Sequence, residues 1–358
     1  MDTDTTAAPL HARSHSDYHL IDGAGERAQR AGLVNASWYR SPVTRPQMKA
    51  LMQRDDRRAI IDTLIWYALI AIAAAAFIAT WGTPWAVLTF FLYGTLYGGP
   101  ADSRWHECSH GTAFKTRWLN DALYQMASFQ VLRRATVWRW SHARHHTDTL
   151  VTGRDPEVAV QLPSDLISIL LNVFSLKNSP REIAKLLRNA LTGTLNQEER
   201  SFIPESEWPK VVREARAWLV VYAAIFASAW YLQSWLPLFL VGPLPSMVGT
   251  WLVVFFGLTQ HAGLPENVTD HRRNCRTVYM NPIFRFLYWE MNYHIEHHMF
   301  PMVPFHALQK LHETIKADCP PPYPSTWAAY KELVPAVLRQ AREPGYFVKR
   351  PIPEGEPK

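Results

Sequence analysis

Apolar residues gather in two long blocks on either side of a charged middle segment. No Asp, Glu, Lys or Arg occurs at 63–101 or at 217–265. Each block has room for two of the ~20-residue helices that cross the hydrocarbon core of a bilayer. Each therefore predicts a helical hairpin, giving four transmembrane helices. Trp81-Gly82-Thr83-Pro84 marks the first reversal, between spans at about 63–80 and 85–101, with Trp81 and Trp85 suited to the lipid headgroup level. Pro237 and Gly242-Pro243-Leu244-Pro245 place the second, between about 217–235 and 238–258. Core helices of a soluble protein rarely run this far without a charge on an exposed face.

Basic residues set the expected orientation, because Lys and Arg near helix ends stay on the cytoplasmic side. Arg54, Arg57 and Arg58 precede the first span. Arg104, Lys115, Arg117, Arg133, Arg134 and Arg139 follow the second, and Arg272, Arg273 and Arg276 follow the fourth, while the hairpin tips carry no charge. Both termini and the middle segment are thus expected in the cytoplasm. Three divisions follow. Residues 1–58 form a polar cytoplasmic tail, expected to be loosely ordered and lacking the apolar core of a cleaved leader. Residues 59–304 form the membrane domain, and 305–358 form cytoplasmic helices, at 305–317 and 327–342, with a tail. Amphipathic stretches at 119–132 and 166–176 suit either the membrane surface, roofing a substrate entrance, or packing within the cytoplasmic domain.

Composition changes this picture little. The mean hydropathy of −0.16 averages the apolar blocks with the charged remainder. The net charge of +6 follows from membrane topology, and no nucleic-acid partner is expected. Cys108, Cys275 and Cys319 form no CxxC pair and fall on the expected cytoplasmic side, so no disulfide framework is predicted.

The candidate chemistry lies in nine of the fifteen histidines. His106 and His110 are spaced i, i+4, on one face of a helix, and can bind a metal together. His142, His145 and His146 are spaced i, i+3, i+4, and His294, His297 and His298 repeat that pattern. Adjacent helical residues point about 100° apart, so His145 and His146, like His297 and His298, serve two neighbouring ions better than one. His261, in Thr259-Gln260-His261-Ala262-Gly263, stands where the fourth span leaves the membrane and is the ninth candidate. An even number of crossings separates the clusters, so all nine reach one membrane face. His11, His15 and His19 lie in the polar tail and read as solvated. His271, His306 and His312 lack clustered partners and read as supporting or surface groups.

Imidazole suits Zn, Cu, Fe and Ni. A structural zinc site closes with four ligands, and nine histidines fit iron, with five or six ligands per ion, better. Glu107, Asp148, Asp155, Glu290 and Glu296 are candidate acceptors for imidazole N–H groups, Glu296 foremost.

These residues resemble the membrane fatty-acid desaturase and hydroxylase superfamily, through the histidines at 106–110, 142–146 and 294–298 in that order. The resemblance spans about 63–304. It implies two iron ions held by those eight histidines and His261, and O2 as co-substrate for oxidation of unactivated C–H bonds. Three residues within the first box look like the methyl-end or acyl-lipid branch. Asn292-Tyr293 before the third box and Met299-Phe300-Pro301 after it also resemble front-end desaturases and carotenoid ketolases. Stearoyl-CoA-type relatives carry an asparagine one turn before the isolated histidine, where this chain has Gly257.

The expected function is a membrane desaturase that places a double bond in a fatty-acyl chain. The alternatives are a hydroxylase or ketolase on the same fold, or a desaturase of a small amino-acid-derived molecule. The last follows from the likeness of 140–149 and 153–157 to bacterial relatives in rhizobitoxine biosynthesis, and the expected location is a bacterial cytoplasmic membrane. Two electrons per O2 are needed beyond those taken from substrate, and the chain shows no dinucleotide, iron–sulfur or haem motif. A separate ferredoxin or cytochrome-type donor with its reductase is expected, and the basic residues Arg133, Arg134, Arg139 and Arg144 suit either docking of an acidic carrier or cytoplasmic placement alone. From another class, a metal-binding membrane transporter or sensor would keep its ligands at midplane depth, whereas these clusters lie outside the spans.

Overall fold

The computed structural model describes residues 14–21 and 23–353, and among them only helices and isolated β-bridges occur, with no β-strand. The principal helices, in chain order, are α1 (Asp56–Thr80), α2 (Trp85–Ser109), α3 (Arg117–Gln130), α4 (Ala135–Thr147), α5 (Leu166–Asn172), α6 (Asn178–Thr192), α7 (Trp208–Tyr231), α8 (Pro243–His261), α9 (His294–Met299), α10 (Leu308–Ile315) and α11 (Thr326–Gln340). Both amphipathic stretches are helical, and so are the two segments expected after residue 305.

Helix α1 starts at Asp55, whose carboxylate accepts from Arg57 N, and stops at a turn carrying Gly82 at φ +82°. Helix α2 continues through Pro100, which has no N–H for the Leu96 carbonyl one turn back. Trp66 of α1 fills that vacancy, its Nε1 donating to Leu96 O at 2.8 Å. The helix is thus tied to α1 at the point where its own ladder is broken.

Helix α2 packs most extensively on α8. The contact is built on small residues, as is common between helices in lipid. A Cβ on Gly249 would sit 2.5 Å from Gly94 O and 2.6 Å from Gly98 Cα. Trp251 Nε1 donates to Thr95 Oγ1 at 2.8 Å, and Ser246 Oγ to Gln130 O at 2.5 Å, fixing the register of α8 against α2 and α3.

Among the described residues, two helical stretches, Arg45–Thr80 and Leu236–His261, are long and apolar enough to cross a membrane. Helix α2 carries more glycine, threonine and tyrosine, and α7 opens with Lys210, Arg213, Glu214 and Arg216. Leu64 and Ile72 on α1, Val87 and Leu88 on α2, and Val220, Phe226 and Trp230 on α7 are exposed. Such contiguous apolar faces do not suit water.

The second reversal is longer than the sequence pattern predicts. Helix α7 ends at Tyr231, a short helix spans Leu236–Leu240, and α8 begins only at Pro243. Gly242 makes the turn at φ +106°, and Pro243 and Pro245 occupy the first turn of α8, where no N–H is needed. Of the start expected to be loosely ordered, 1–13 lie outside the described residues, while Tyr18 and the stretch 38–41 make specific contacts with the rest of the chain. Tyr18 OH bonds Glu266 Oε1, Tyr39 OH and Ser41 Oγ both bond Asp318 Oδ2, and Trp38 stacks on His271. These aromatic anchors are isolated in a polar stretch and leave no periodic signal.

Candidate metal centre and cavity

Helix ends deliver the histidines. His106 lies in the last turn of α2 with His110 as its cap, and His142, His145 and His146 close α4. His261 is the last residue of α8, and α9 carries His294, His297 and His298. All nine come together in two adjoining groups. One holds His106, His110, His142, His146 and His297, the other His145, His261, His294 and His298, with the candidate ligand atoms of each group within 4.8 Å of one another. The adjacent pairs divide as helical geometry predicts: His145 and His298 go to one group, His146 and His297 to the other. The groups meet where His146 and His298 stack, with centroids 4.2 Å apart.

Within the groups the Nε2 atoms converge. His106 and His297 approach to 2.7 Å, His142 and His110 to 3.2 Å, His146 and His142 to 3.1 Å, and His261 and His298 each lie 3.0 Å from His294. Two nitrogens bound at right angles, each about 2.1 Å from one ion, would lie about 3 Å apart.

The outward nitrogens show why the inward ones face each other. His142 Nδ1 donates to Glu157 Oε2 at 3.0 Å, His145 Nδ1 to Asp155 Oδ2 at 2.8 Å, and His261 Nδ1 to Asn274 O at 2.8 Å. His298 Nδ1 lies 3.1 Å from Thr149 Oγ1. With their protons on Nδ1, these rings turn lone pairs inward, the tautomer a ligand needs. Opposed lone pairs repel unless a cation lies between them, so the donor set fits metal binding.

Burial and the neighbouring rings hold His106, His142, His146, His294, His297 and His298 well below the ordinary imidazole value, and burial takes His110 down to about 4. These rings stay neutral, as metal binding requires. At His145 burial acts downward too, but the charge and hydrogen bond of Asp155 outweigh it and the value rises. Burial pushes Glu157 up to about 7.

Of the five carboxylates singled out in the sequence, only Asp155 accepts from one of the nine histidines. Glu296, the foremost of them, instead takes His312 Nδ1 at 2.5 Å and Thr277 Oγ1 at 2.6 Å. Glu107 bonds Thr112 and Phe305 N, Asp148 pairs with Arg144 and Arg154, and Glu290 pairs with Arg285. Glu157 was missed, although it stands two residues beyond Asp155 in the same loop. His271 and His312 are buried, and His271, Cys275 and His298 bring their ligand atoms within 4.8 Å of one another. His15 Nε2 contacts Pro163 O, and His11 lies outside the described residues.

The basic docking patch is not formed as expected. Arg134 is buried and paired with Glu182 and Glu199, while Arg133 pairs with Asp102 and lies over Trp105 and Trp138. Arg139 and Arg144 pair with Asp121 and Asp148.

A cavity of about 560 Å³ reaches His106, His142, His145 and His261. Val253, Val254 and Leu258 give it an apolar wall along α8, whereas Asp102, Arg133 and Gln260 make it polar elsewhere. Gly257 lines it one turn before His261, and a Cβ there would meet nothing within 4 Å.

The sequence pattern of the fatty acid desaturase family matches residues 82–330, an interval that contains all nine histidines. A Calendula officinalis protein named Delta(12) fatty acid desaturase FAD2 is 25% identical over 267 residues, covering 65% of this chain and 68% of that protein. The Homo sapiens protein named Fatty acid desaturase 3 is 25% identical over 241 residues, covering 60% of this chain and 51% of that protein. The chain therefore spans about two thirds of the length of the first relative and about half of the second.

Proposed function

The chain belongs to the fatty acid desaturase family, and from that membership we propose that it is an O2-dependent di-iron desaturase of the membrane, introducing a double bond into a fatty-acyl chain. The observation that carries this reading is the division of nine histidines into two adjoining groups at the end of a partly apolar cavity. His106, His110, His142, His146 and His297 would hold one iron, and His145, His261, His294 and His298 the other. When bound, the irons supply the activation of O2 that removes two hydrogens from an unactivated chain.

The other roles belong to the chain itself. Asp155, Glu157 and the Asn274 carbonyl hold protons on Nδ1 of His145, His142 and His261, keeping Nε2 of each turned inward. Burial of His106, His142, His145, His294, His297 and His298 keeps bulk water from most of the site, and the wall of α8 receives the apolar part of the substrate. Helices α1, α2, α7 and α8 form four spans in this proposal, with the histidines on the cytoplasmic face. Their exposed apolar side chains and the basic residues beside their ends support that topology. Electrons come from a separate ferredoxin or cytochrome-type carrier.

A second reading rests on the cavity wall. The Asp102–Arg133 pair near His106 and His142 would suit a small polar substrate better than a plain hydrocarbon chain. Expression in a lipid-producing host, with mass spectrometry of the products, separates the outcomes. An acyl product lighter by two hydrogens supports desaturation of a lipid. One heavier by an oxygen points to a hydroxylase, and unchanged lipids contradict the fatty-acyl reading.

A further inference from the structure

Electrons must reach the buried histidine groups from outside, and one line of rings runs there from the surface. Trp38 is partly exposed and stacks on His271, with centroids 4.3 Å apart and planes 10° from parallel. His271 is buried, and its ring centroid lies 5.2 Å from that of His298. Trp38 is fixed by its indole, Nε1 donating to Thr147 O at 3.1 Å beside the second histidine cluster. Tyr39 N bonds Thr269 O at 2.9 Å, which locks the neighbouring backbone to the loop before His271. The ring is thus held rigidly, as a plug or a conductor would be, and it comes from a segment outside the family-matched interval.

Basic residues stand close in the chain to Trp38 and to its stacking partner His271. Arg144 and Arg154 share the single carboxylate of Asp148, which leaves one positive charge in excess, whereas Arg272 is buried and offset by Asp270 and Asp318. Arg40 and Arg273 are exposed, and among the described residues neither has a carboxylate partner. Excess positive charge around an aromatic ring suits an acidic protein partner, which it both steers and orients.

We propose that an acidic one-electron carrier protein docks over Trp38 and that its electrons pass through the Trp38 and His271 rings to the histidine group containing His298. The inference rests on the di-iron reading above. Each reduced carrier gives up one electron and leaves oxidised. Two carriers, two protons and the two hydrogens taken from the substrate together reduce one O2 to two waters.

The test uses the full chain in lipid nanodiscs, with a plant-type [2Fe–2S] ferredoxin and a soluble b-type cytochrome domain as carriers. Carrier affinity, oxidation of the reduced carrier and iron content are measured separately. Arg40→Glu with Arg273→Glu should weaken binding about tenfold. Trp38→Ala should slow carrier oxidation at least about tenfold, Trp38→Phe should preserve most of it, and reduction by dithionite should be unchanged throughout. Unchanged carrier oxidation in an iron-replete Trp38→Ala protein overturns the inference. Should that variant lose its iron, the arginine pair still decides, because unchanged affinity for both carriers overturns it equally. Absence of iron from the unaltered protein would remove both this inference and the reading beneath it.

Discussion

Asp155 Oδ2 lies 2.8 Å from His145 Nδ1 and also accepts from Leu150 N at 2.8 Å, while its Oδ1 accepts from Glu157 N at 2.8 Å. One buried carboxylate therefore closes the loop after α4 and fixes the tautomer of a histidine at the end of that helix. Asp155→Ala should leave those donors buried and unpaired, costing about 1–3 kcal/mol of stability. It should also weaken metal binding about 10–100-fold. Metal titration and thermal unfolding of the purified variant check the two effects.

Gly257 offers a test of the cavity. Its missing side chain would meet nothing within 4 Å, so Gly257→Leu should extend into the space beside His261 without disturbing the packed side of α8. Metal content and unfolding temperature should stay near those of the unaltered protein, while turnover falls and shifts toward smaller substrates. Product profiles over a series of chain lengths provide the measurement.

The face of α8 against α2 should behave oppositely. Gly249→Val places atoms where Gly94 O and Gly98 Cα already stand, and overpacking of this kind costs about 1–3 kcal/mol or more. A lower unfolding temperature in detergent, with loss of metal as the helix ends separate, is expected. Unchanged unfolding would show that the helices are not in close contact.

A pH effect should arise at Glu266, which burial pushes up to about 7 and whose Oε1 accepts from Tyr18 OH at 2.5 Å. Its folded-state value lies above its unfolded one, so the folded chain holds the extra proton between the two. Stability from this group is full below pH 4.5, is lost as pH rises toward 7, and changes no further above that. The loss amounts to a few kcal/mol at most. Thermal unfolding from pH 5 to pH 8 should show a steeper decline in the unaltered protein than in Glu266→Gln.

Much of this arrangement is legible in the sequence because it is local. The i, i+3, i+4 spacing predicts that neighbouring histidines serve different groups, and the rings divide in that way. The helices follow from charge-free blocks, and the first reversal from Trp81 to Pro84. Glu296 was legible but misread: two residues from His294 on a helix, it points about 200° away and cannot face the same group. Asp155 is among the acceptors the sequence offers, but which histidine it takes, and the part played by Glu157, depend on a loop that folds back through Leu150 and Gly153, both at positive φ, and residue spacing does not reveal such a path. The basic character of 133–144 is plain in the sequence, but not that Arg134 spends its charge on Glu182 and Glu199. Trp38 leaves no trace, since its meaning lies in a contact with His271, 233 residues away.

The central claim is that two adjoining histidine groups each hold an iron ion, and the most direct test is the metal content of the purified chain. Elemental analysis after expression in iron-replete medium should give close to two iron atoms per chain, and lower values for both His145→Ala and His146→Ala. Two zinc atoms and no iron, or full iron retention in both variants, would contradict it.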